Sequence, residues 1–545
     1  MQKILTVLVW FFIIFSFVPT LYEIKNRNNL QPDRAFELVH NFPTDYNFYL
    51  SRIREGLEGR LTVVERYTSE PHNGSYIHIL YLFLGWVGRF TRVPWHRSSD
   101  IYHVARFVFG ITLLFFTAHF AGQSFSFLSD TRSKKIWLSL AFLLAVTAST
   151  WPKLVFFNGG WRLGGYMPWW SLMDSLQRIA FIPHLLVGQA LIVFLIATLW
   201  DEATMKKGGN WLFLGALAFV LGMVFPPGLL FVAVTVVCMG IANLGPRGLV
   251  IAMGAPALLY LQLMTSFYPW KRLAQQDILN PLPFQYMEYF LAVGYVFPFG
   301  ILGGVFALIR REKYLIPAVS WVVAWLSLLA IFRFVPQQSP LRFSEMLPHV
   351  PLGILTAYLF YMIWHWFGAR LSLKSYQGLA LIPPLILVVI GLGVMYSSWL
   401  WQRDFVDHKM RSTYPFVPTG SYVLYPLKDF IHAVGFIQDS TSTNGVILAG
   451  TTAGNYIPPY TGRTVYIGHA NTVRAEEKQV IVSGFFRGAM KPDEAKAFLT
   501  DNRISAIFFG PQEREESGTQ DLGKLYPFLR VSYKNTFVTV YTIAQ

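Results

Sequence analysis

Long apolar runs separated by short polar stretches fill the first 400 residues of the chain. A helix needs roughly 20 apolar residues to cross a bilayer core. Runs approaching or reaching that length fall at 4–22, 101–121, 136–156, 179–200, 211–225, 228–244, 247–265, 286–308, 314–332, 347–366 and 377–400. The pattern predicts about eleven spanning helices. The pair 211–225 and 228–244 flanks Pro226-Pro227-Gly228, so one kinked span is the alternative reading there. The run 76–90 is short, with Arg89 and Arg92 at its end, and reads as an interfacial helix. Met1–Thr20 lacks a small-x-small cleavage pattern and reads as a retained first helix.

Polar positions set the organisation. A long loop, 23–75, follows the first apolar run and carries Asp45 and Glu70. With the N-terminus inside, the inner loops hold Arg132, Lys134 and Lys135; Lys206 and Lys207; Arg247; Arg310, Arg311 and Lys313; and Arg370 and Lys374. Each is basic, as the positive-inside rule requires. The N-terminus is therefore expected in the cytoplasm and the C-terminal domain outside it.

From 401 the pattern changes. Asp404, Asp407, His408, Lys409 and Arg411 end the apolar region, and 401–545 reads as a soluble α/β domain. Strand-like runs occur at Val446–Ala449, Val465–Gly468, Ala506–Gly510 and Phe537–Ile543. Ala475–Phe486 and Pro492–Asn502 have helical character, the second opening on Pro492-Asp493-Glu494. The expected architecture is an α-helical polytopic membrane protein, 1–400, with an extracytoplasmic α/β domain, 401–545.

Composition narrows the class. Of 545 residues, 53% are hydrophobic and 14% charged, below the roughly one quarter charged of soluble domains. The net charge of +15 is spread over short loops rather than gathered in one run, which argues against a nucleic-acid partner. A single cysteine, Cys238, excludes an intrachain disulfide.

The candidate chemistry sits in the outer loops. The first holds Asp45, Tyr46, Tyr49, Arg52, Arg54, Glu55, Glu58 and Glu70. The next, 157–178, holds Arg162, Trp169, Trp170, Asp174 and Arg178, with His184 just after it, and loop 333–346 adds Arg333 and Arg342. Carboxylates on one membrane face can act as base or cation ligand. An arginine fork matches phosphate oxygens. The plainer readings are a solvated acid for Asp45 or Glu70, an aromatic belt for Trp169-Trp170, headgroup contacts for Arg162 and Arg342, a salt bridge from Arg342 to Glu345, and a packed or capping His184. No His-Glu-x-x-His and no phosphate-loop motif is present.

Thr44-Asp45-Tyr46, then Tyr49 and a helical stretch through Gly56 and Gly59, follow a first span and open a long outer loop. In this the chain resembles the polytopic C-type glycosyltransferases that use polyprenyl-phosphate-linked sugars. These include protein O-mannosyltransferases, aminoarabinose transferases and oligosaccharyltransferase catalytic subunits. Asp174 in Trp169-Trp170-Ser171-Leu172-Met173-Asp174 matches the family's second acid, and Gly454–Arg463 with Gly468-His469 resembles the soluble tail of bacterial members. The Trp-Trp-Asp-Tyr-Gly motif of oligosaccharyltransferases is missing from the soluble region, which argues against asparagine-linked transfer and leaves metal dependence open.

The resemblance implies transfer of a sugar from a polyprenyl-phosphate donor to a lipid, glycan or protein acceptor. It assigns Asp45 and Asp174 to catalysis, and the outer-loop reading adds Glu70 to catalysis and Tyr46, Arg162, Arg178, His184 and Arg342 to substrate. A divalent cation is compatible with it. The rival is a non-catalytic transporter or binder of lipid-linked glycans. Such a protein would show inverted repeats and mid-span ionisable residues, whereas here the charges gather at loops.

Overall fold

The structure is a computed structural model that describes residues 2–240, 244–370, 374–415, 424–519 and 521–543. The side chains of Arg370 and Lys374, counted above with the inner-loop cations, lie outside the described residues. Among the described residues, seven helices are long and apolar enough to cross a membrane: Lys3–Lys25, Trp95–Ser124, Pro183–Trp200, Gly245–Met264, Lys313–Phe334, His349–Phe367 and Gly378–Arg411. The chain is an integral membrane protein. A further apolar pair, Tyr286–Val293 and Val296–Ile309, is bent by 81° at the break between its helices and makes an eighth span if the pair counts as one. Shorter apolar helices cover Ile79–Phe90, Gly208–Val224 and Pro226–Cys238, so the Pro226-Pro227 element starts a second helix rather than kinking one.

Two boundaries differ from the pattern. The run read as a span at 136–156 is a helix only to Thr147, and Lys153–Phe157 (β1) turns back as a hairpin with Gly160–Gly164 (β2). Asn158 and Gly159, at φ +47° and +76°, make the two-residue turn that such a hairpin favours. The last span runs on to Arg411, so Asp404 to Arg411 are helical rather than the start of a loop.

The chain divides into two compact units, Met1–Pro19 with Val104–Tyr260 and Gln276–Gln402, and Thr20–His103 with Leu261–Gln275 and Arg403–Gln545. The first is helical with an aliphatic and aromatic core that includes Trp137, Trp321, Trp325 and Tyr289. Gly300 and Gly303 let two of its helices touch: a Cβ on either would meet the backbone of Leu352 or Leu355. The second unit joins the loop that follows the first helix to the C-terminal segment. Its five strands are Val446–Leu448 (β3), Thr464–Val465 (β4), Ile504–Phe509 (β5), Leu529–Lys534 (β6) and Thr539–Ile543 (β7), in the order β4-β3-β5-β7-β6. β4, β3 and β5 are parallel, and β7 and β6 complete the sheet antiparallel. The expected helices appear as Ala475–Phe486 and Pro492–Asp501.

Within this unit the early loop is threaded into the late domain. Val465 N–H donates to the Arg66 carbonyl at 2.9 Å, Ala35 N–H to that of Pro426 at 2.9 Å, and Thr472 Oγ1 to that of Tyr67 at 2.6 Å. Phe48 and Tyr67 lie in the same buried cluster as Phe430, Tyr456 and Phe508. These contacts fix helix Pro43–Leu57, which carries Asp45.

Candidate functional site

Helix Pro43–Leu57 starts on Pro43, whose missing N–H costs nothing in a first turn. Asp45 lies in that turn, where the helix dipole favours a carboxylate. The neighbours of Asp45 are buried. Tyr46 sends its hydroxyl to Ser99 at 2.6 Å and His103 at 3.4 Å, and its ring meets Tyr102 edge-on. Asn47 donates to Asn455 Oδ1 at 2.9 Å, and Asn455 donates to the Thr44 carbonyl at 3.2 Å. Phe48 stacks on the His469 ring at 4.6 Å, with the Arg52 guanidinium 4.4 Å from its centroid.

That stacking delivers His469 to Asp45. Nε2 of the imidazole lies 3.7 Å from Asp45 Oδ1, the histidine buried and the aspartate side chain 51% exposed. The Asn471 backbone N–H donates to His469 Nδ1 at 3.2 Å. A nitrogen that accepts cannot carry the proton, so the neutral ring holds it on Nε2, the atom facing Asp45. Asp45 is thus a half-exposed carboxylate with one imidazole N–H beside it.

The other acids of this loop are committed elsewhere. Glu55 and Glu65 bracket the buried Arg52 at 3.6 and 2.7 Å. Glu55 also meets Arg66 at 3.2 Å, and Glu58 meets Arg54 and Arg66 at 2.8 and 3.0 Å. Glu70 pairs with Lys478 at 2.8 Å and hydrogen-bonds Thr68. Burial works to raise the Glu70 carboxyl, but hydrogen bonds from Lys478 and Thr68 hold it below the ordinary range. It is a tie between the loop and helix Ala475–Phe486, not a group poised for proton transfer. Glu37 is fully buried among Tyr456, Tyr460 and Lys409, and burial pushes its carboxyl up to about 7.

The helical unit holds the remaining candidates. Asp174 caps the helix Ser175–Ile179, accepting from the N–H groups of Leu176 at 2.8 Å and Gln177 at 3.2 Å. Arg178, on that helix, is buried and donates to the carbonyls of Ala148 at 2.7 Å and of Val146 and Leu172 at 3.3 Å. Trp170 donates to Ser344 at 2.7 Å, which pins loop 157–178 to loop 333–346. Arg342 closes its fork on Asp277, Nη2 to Oδ1 at 2.7 Å and Nε to Oδ2 at 3.2 Å, with Glu345 at 3.6 Å. A phosphate would have to displace Asp277 to engage that fork. Arg162, on β2, lies 5.4 Å from the Phe157 ring centroid and 5.1 Å from that of Trp401. His184 is the second residue of helix Pro183–Trp200.

The eight candidates thus divide between the units. Asp45, Tyr46 and Glu70 belong to one, and Asp174, Arg162, Arg178, His184 and Arg342 to the other. Glu37 and Asp277 escaped the sequence reading, and Asn455 and His469 entered it only as parts of the tail segments, with no role at the site. Each acts on residues distant in sequence. Among the described residues no group of three or more His, Cys, Asp or Glu side chains is placed to hold a metal ion. Asp45 and His469 offer two ligand atoms, fewer than a cation site needs.

No protein-family model matches the sequence, and no curated protein does. Solved structures match in backbone. The archaeal oligosaccharyltransferase AglB from Archaeoglobus fulgidus, in complex with an inhibitory peptide and a dolichol-phosphate, is 12% identical with a TM-score of 0.49, over 97% of this chain and 74% of its own. ArnT from Cupriavidus metallidurans in the apo state is 10% identical with a TM-score of 0.48, over 98% of each chain. ArnT bound to undecaprenyl phosphate is 11% identical with a TM-score of 0.45, over 97% of each. The first is of a kind to which the sequence resemblance pointed. None of these likenesses assigns a residue a role.

Proposed function

We propose that the protein transfers a glycosyl group from a polyprenyl-phosphate donor to an acceptor hydroxyl on the extracytoplasmic face of the membrane. One observation carries the reading. Among the acids of the first loop that lie on or beside helix Pro43–Leu57, Asp45 alone is half exposed and outside the arginine and lysine network of Glu55, Glu58, Glu65 and Glu70. A carboxylate free of cationic partners, oriented by an imidazole N–H and open on one side, suits a general base.

The acceptor oxygen attacks the anomeric carbon, and its proton passes to Asp45. The bond between that carbon and the phosphate oxygen breaks, and the polyprenyl phosphate leaves with the electron pair. The His469 N–H orients the Asp45 carboxylate. The described ion pairs of the spanning helices, such as Arg247 with Glu202 and Lys409 with Glu23, lie at helix ends rather than mid-span. This favours the enzyme over a transporter.

Asp45→Asn keeps the shape and removes the base. Assayed on the purified full chain with a polyprenyl-phosphate-linked sugar, it should lower transfer by about a hundredfold or more at unchanged protein level. Turnover equal to that of the native chain removes Asp45 from the mechanism.

A further inference from the structure

Helices Val296–Ile309 and His349–Arg370 run parallel. Gly300 abuts Leu352 and Gly303 abuts Leu355, so sequence rises in both helices in the same direction and both N-termini lie at one end. The first N-terminus is created by the 81° break at Gly294-Tyr295. Gly294 has φ +87°, and a Cβ there would collide with the Ser149 carbonyl, so the break is built to approach the 148–150 backbone. Arg178 reaches that same backbone through the Ala148 carbonyl.

Three polar groups are buried at this place. His349, the first residue of its helix, is 1% exposed, and neither ring nitrogen has a hydrogen-bond partner among the described residues. Arg178 lies within electrostatic range of His349, Asp174 and Tyr295. Its described hydrogen bonds go to backbone carbonyls, and no carboxylate pairs with it directly among the described residues. The Tyr295 hydroxyl is buried beside Thr147. A buried cation without a paired anion and a buried imidazole without partners are both costly. Two helix N-termini add positive potential to the same point. An anion with several acceptor oxygens would take one hydrogen bond from His349 and one from Tyr295 and would balance the Arg178 charge.

We infer that His349, Tyr295 and Arg178 form a buried oxyanion centre that takes a phosphate ester. This rests on the reading of the donor as a lipid phosphate and names the residues that would hold its head. His349 and Tyr295 each donate one hydrogen bond, and Arg178 supplies the charge without releasing the carbonyls it holds. Half-helix N-termini at a broken span serve anions in the same way elsewhere.

The test uses the full chain in detergent, with polyprenyl monophosphate, the corresponding polyprenol and inorganic phosphate as probes. Polyprenyl monophosphate should bind and raise Tm, and polyprenol should bind more weakly by about tenfold or more. His349→Gln and Tyr295→Phe should each weaken the monophosphate by about tenfold or more at unchanged unliganded Tm. Native affinity in both variants overturns the centre. Should His349→Gln fail to fold, Tyr295→Phe, which removes one oxygen, decides alone. Competition by inorganic phosphate supports recognition of the head group. Binding of inorganic phosphate without the lipid phosphate overturns the assignment to a lipid. The two readings separate cleanly. If Asp45→Asn retains turnover while lipid-phosphate binding depends on His349, the transfer mechanism fails and the centre stands. If binding ignores His349 and Tyr295 while Asp45→Asn is inactive, the reverse holds.

Discussion

The tautomer of His469 governs what Asp45 can do. With Nδ1 accepting from the Asn471 N–H, the ring turns a donor toward the carboxylate, 3.7 Å away. His469→Ala removes that donor and the Phe48 stacking surface, and transfer should fall by about ten- to a hundredfold. His469→Gln restores a donor of similar reach and should recover part of the loss, chiefly in kcat. Equal rates for the two variants would reduce His469 to packing. At this scale the sequence was partly readable. Asp45 stood out as an acid at the head of a helix-like stretch. His469 did not, because a single histidine in a distant segment meets Asp45 only once Phe48 has buried its ring. Arg342 gave the opposite lesson. Glu345 was the one acid near it in sequence, yet its fork is closed by Asp277, whose carboxyl burial would raise but the guanidinium holds below its ordinary range.

Secondary elements explain other residues better than chemistry does. Asp174, read from the sequence as a second acid, accepts two N–H groups at a helix start, and Asn caps a helix almost as well. Asp174→Asn should therefore keep stability and most of its activity, while Asp174→Ala should cost about 1 kcal/mol of stability. Loss of turnover in Asp174→Asn at native Tm would return it to the chemistry. The strand-to-helix turns after β3 and β5 are joined by Glu513, which accepts the N–H of Gly450 at 2.7 Å and of Gly510 at 3.0 Å. Burial pushes its carboxyl up to about 7, against the pull of those N–H groups. A group that binds its proton more tightly when folded adds stability below its unfolded pKa, and loses it as pH rises through the folded value. Stability of the soluble region should fall between about pH 4.5 and 7, and Glu513→Gln should flatten that slope in Tm against pH. An unchanged slope would clear Glu513 of the effect. Periodicity located Ala475–Phe486 and Pro492–Asp501, but the reading passed over β6, although Leu529, Val531 and Tyr533 alternate there with Arg530, Ser532 and Lys534 in the period of two that marks a strand. The β1–β2 hairpin hid because Leu154–Phe157 continues an apolar run, although Asn158-Gly159 is itself a turn signal.

For the whole molecule, hydropathy located the seven long apolar helices because lipid demands the same apolar length from each, while the runs at 136–156, 211–225 and 228–244, also counted as spans, gave helices of 17, 17 and 13 residues. The basic loops at 132–135, 206–207 and 310–313 are the ground for the expected orientation. Reporter fusions after Gln545 and within 201–210 should give opposite location signals, and matching signals would overturn that topology. What hydropathy does not carry is which polar segments assemble together, since polar loops have no period to match. One compact unit gathers Thr20–His103, Leu261–Gln275 and Arg403–Gln545. Its buried arginines depend on that union: Arg66 donates to the Gly462 carbonyl and Arg54 to that of Pro459 at 3.3 Å. A ribosome delivers these pieces in order, so the first waits, incomplete, while most of the protein is still being made. During that interval Phe48, Tyr67 and the arginine cluster have no cover, and a chain stopped near residue 400 never gains it. The last quarter of the protein therefore completes the burial of its first loop.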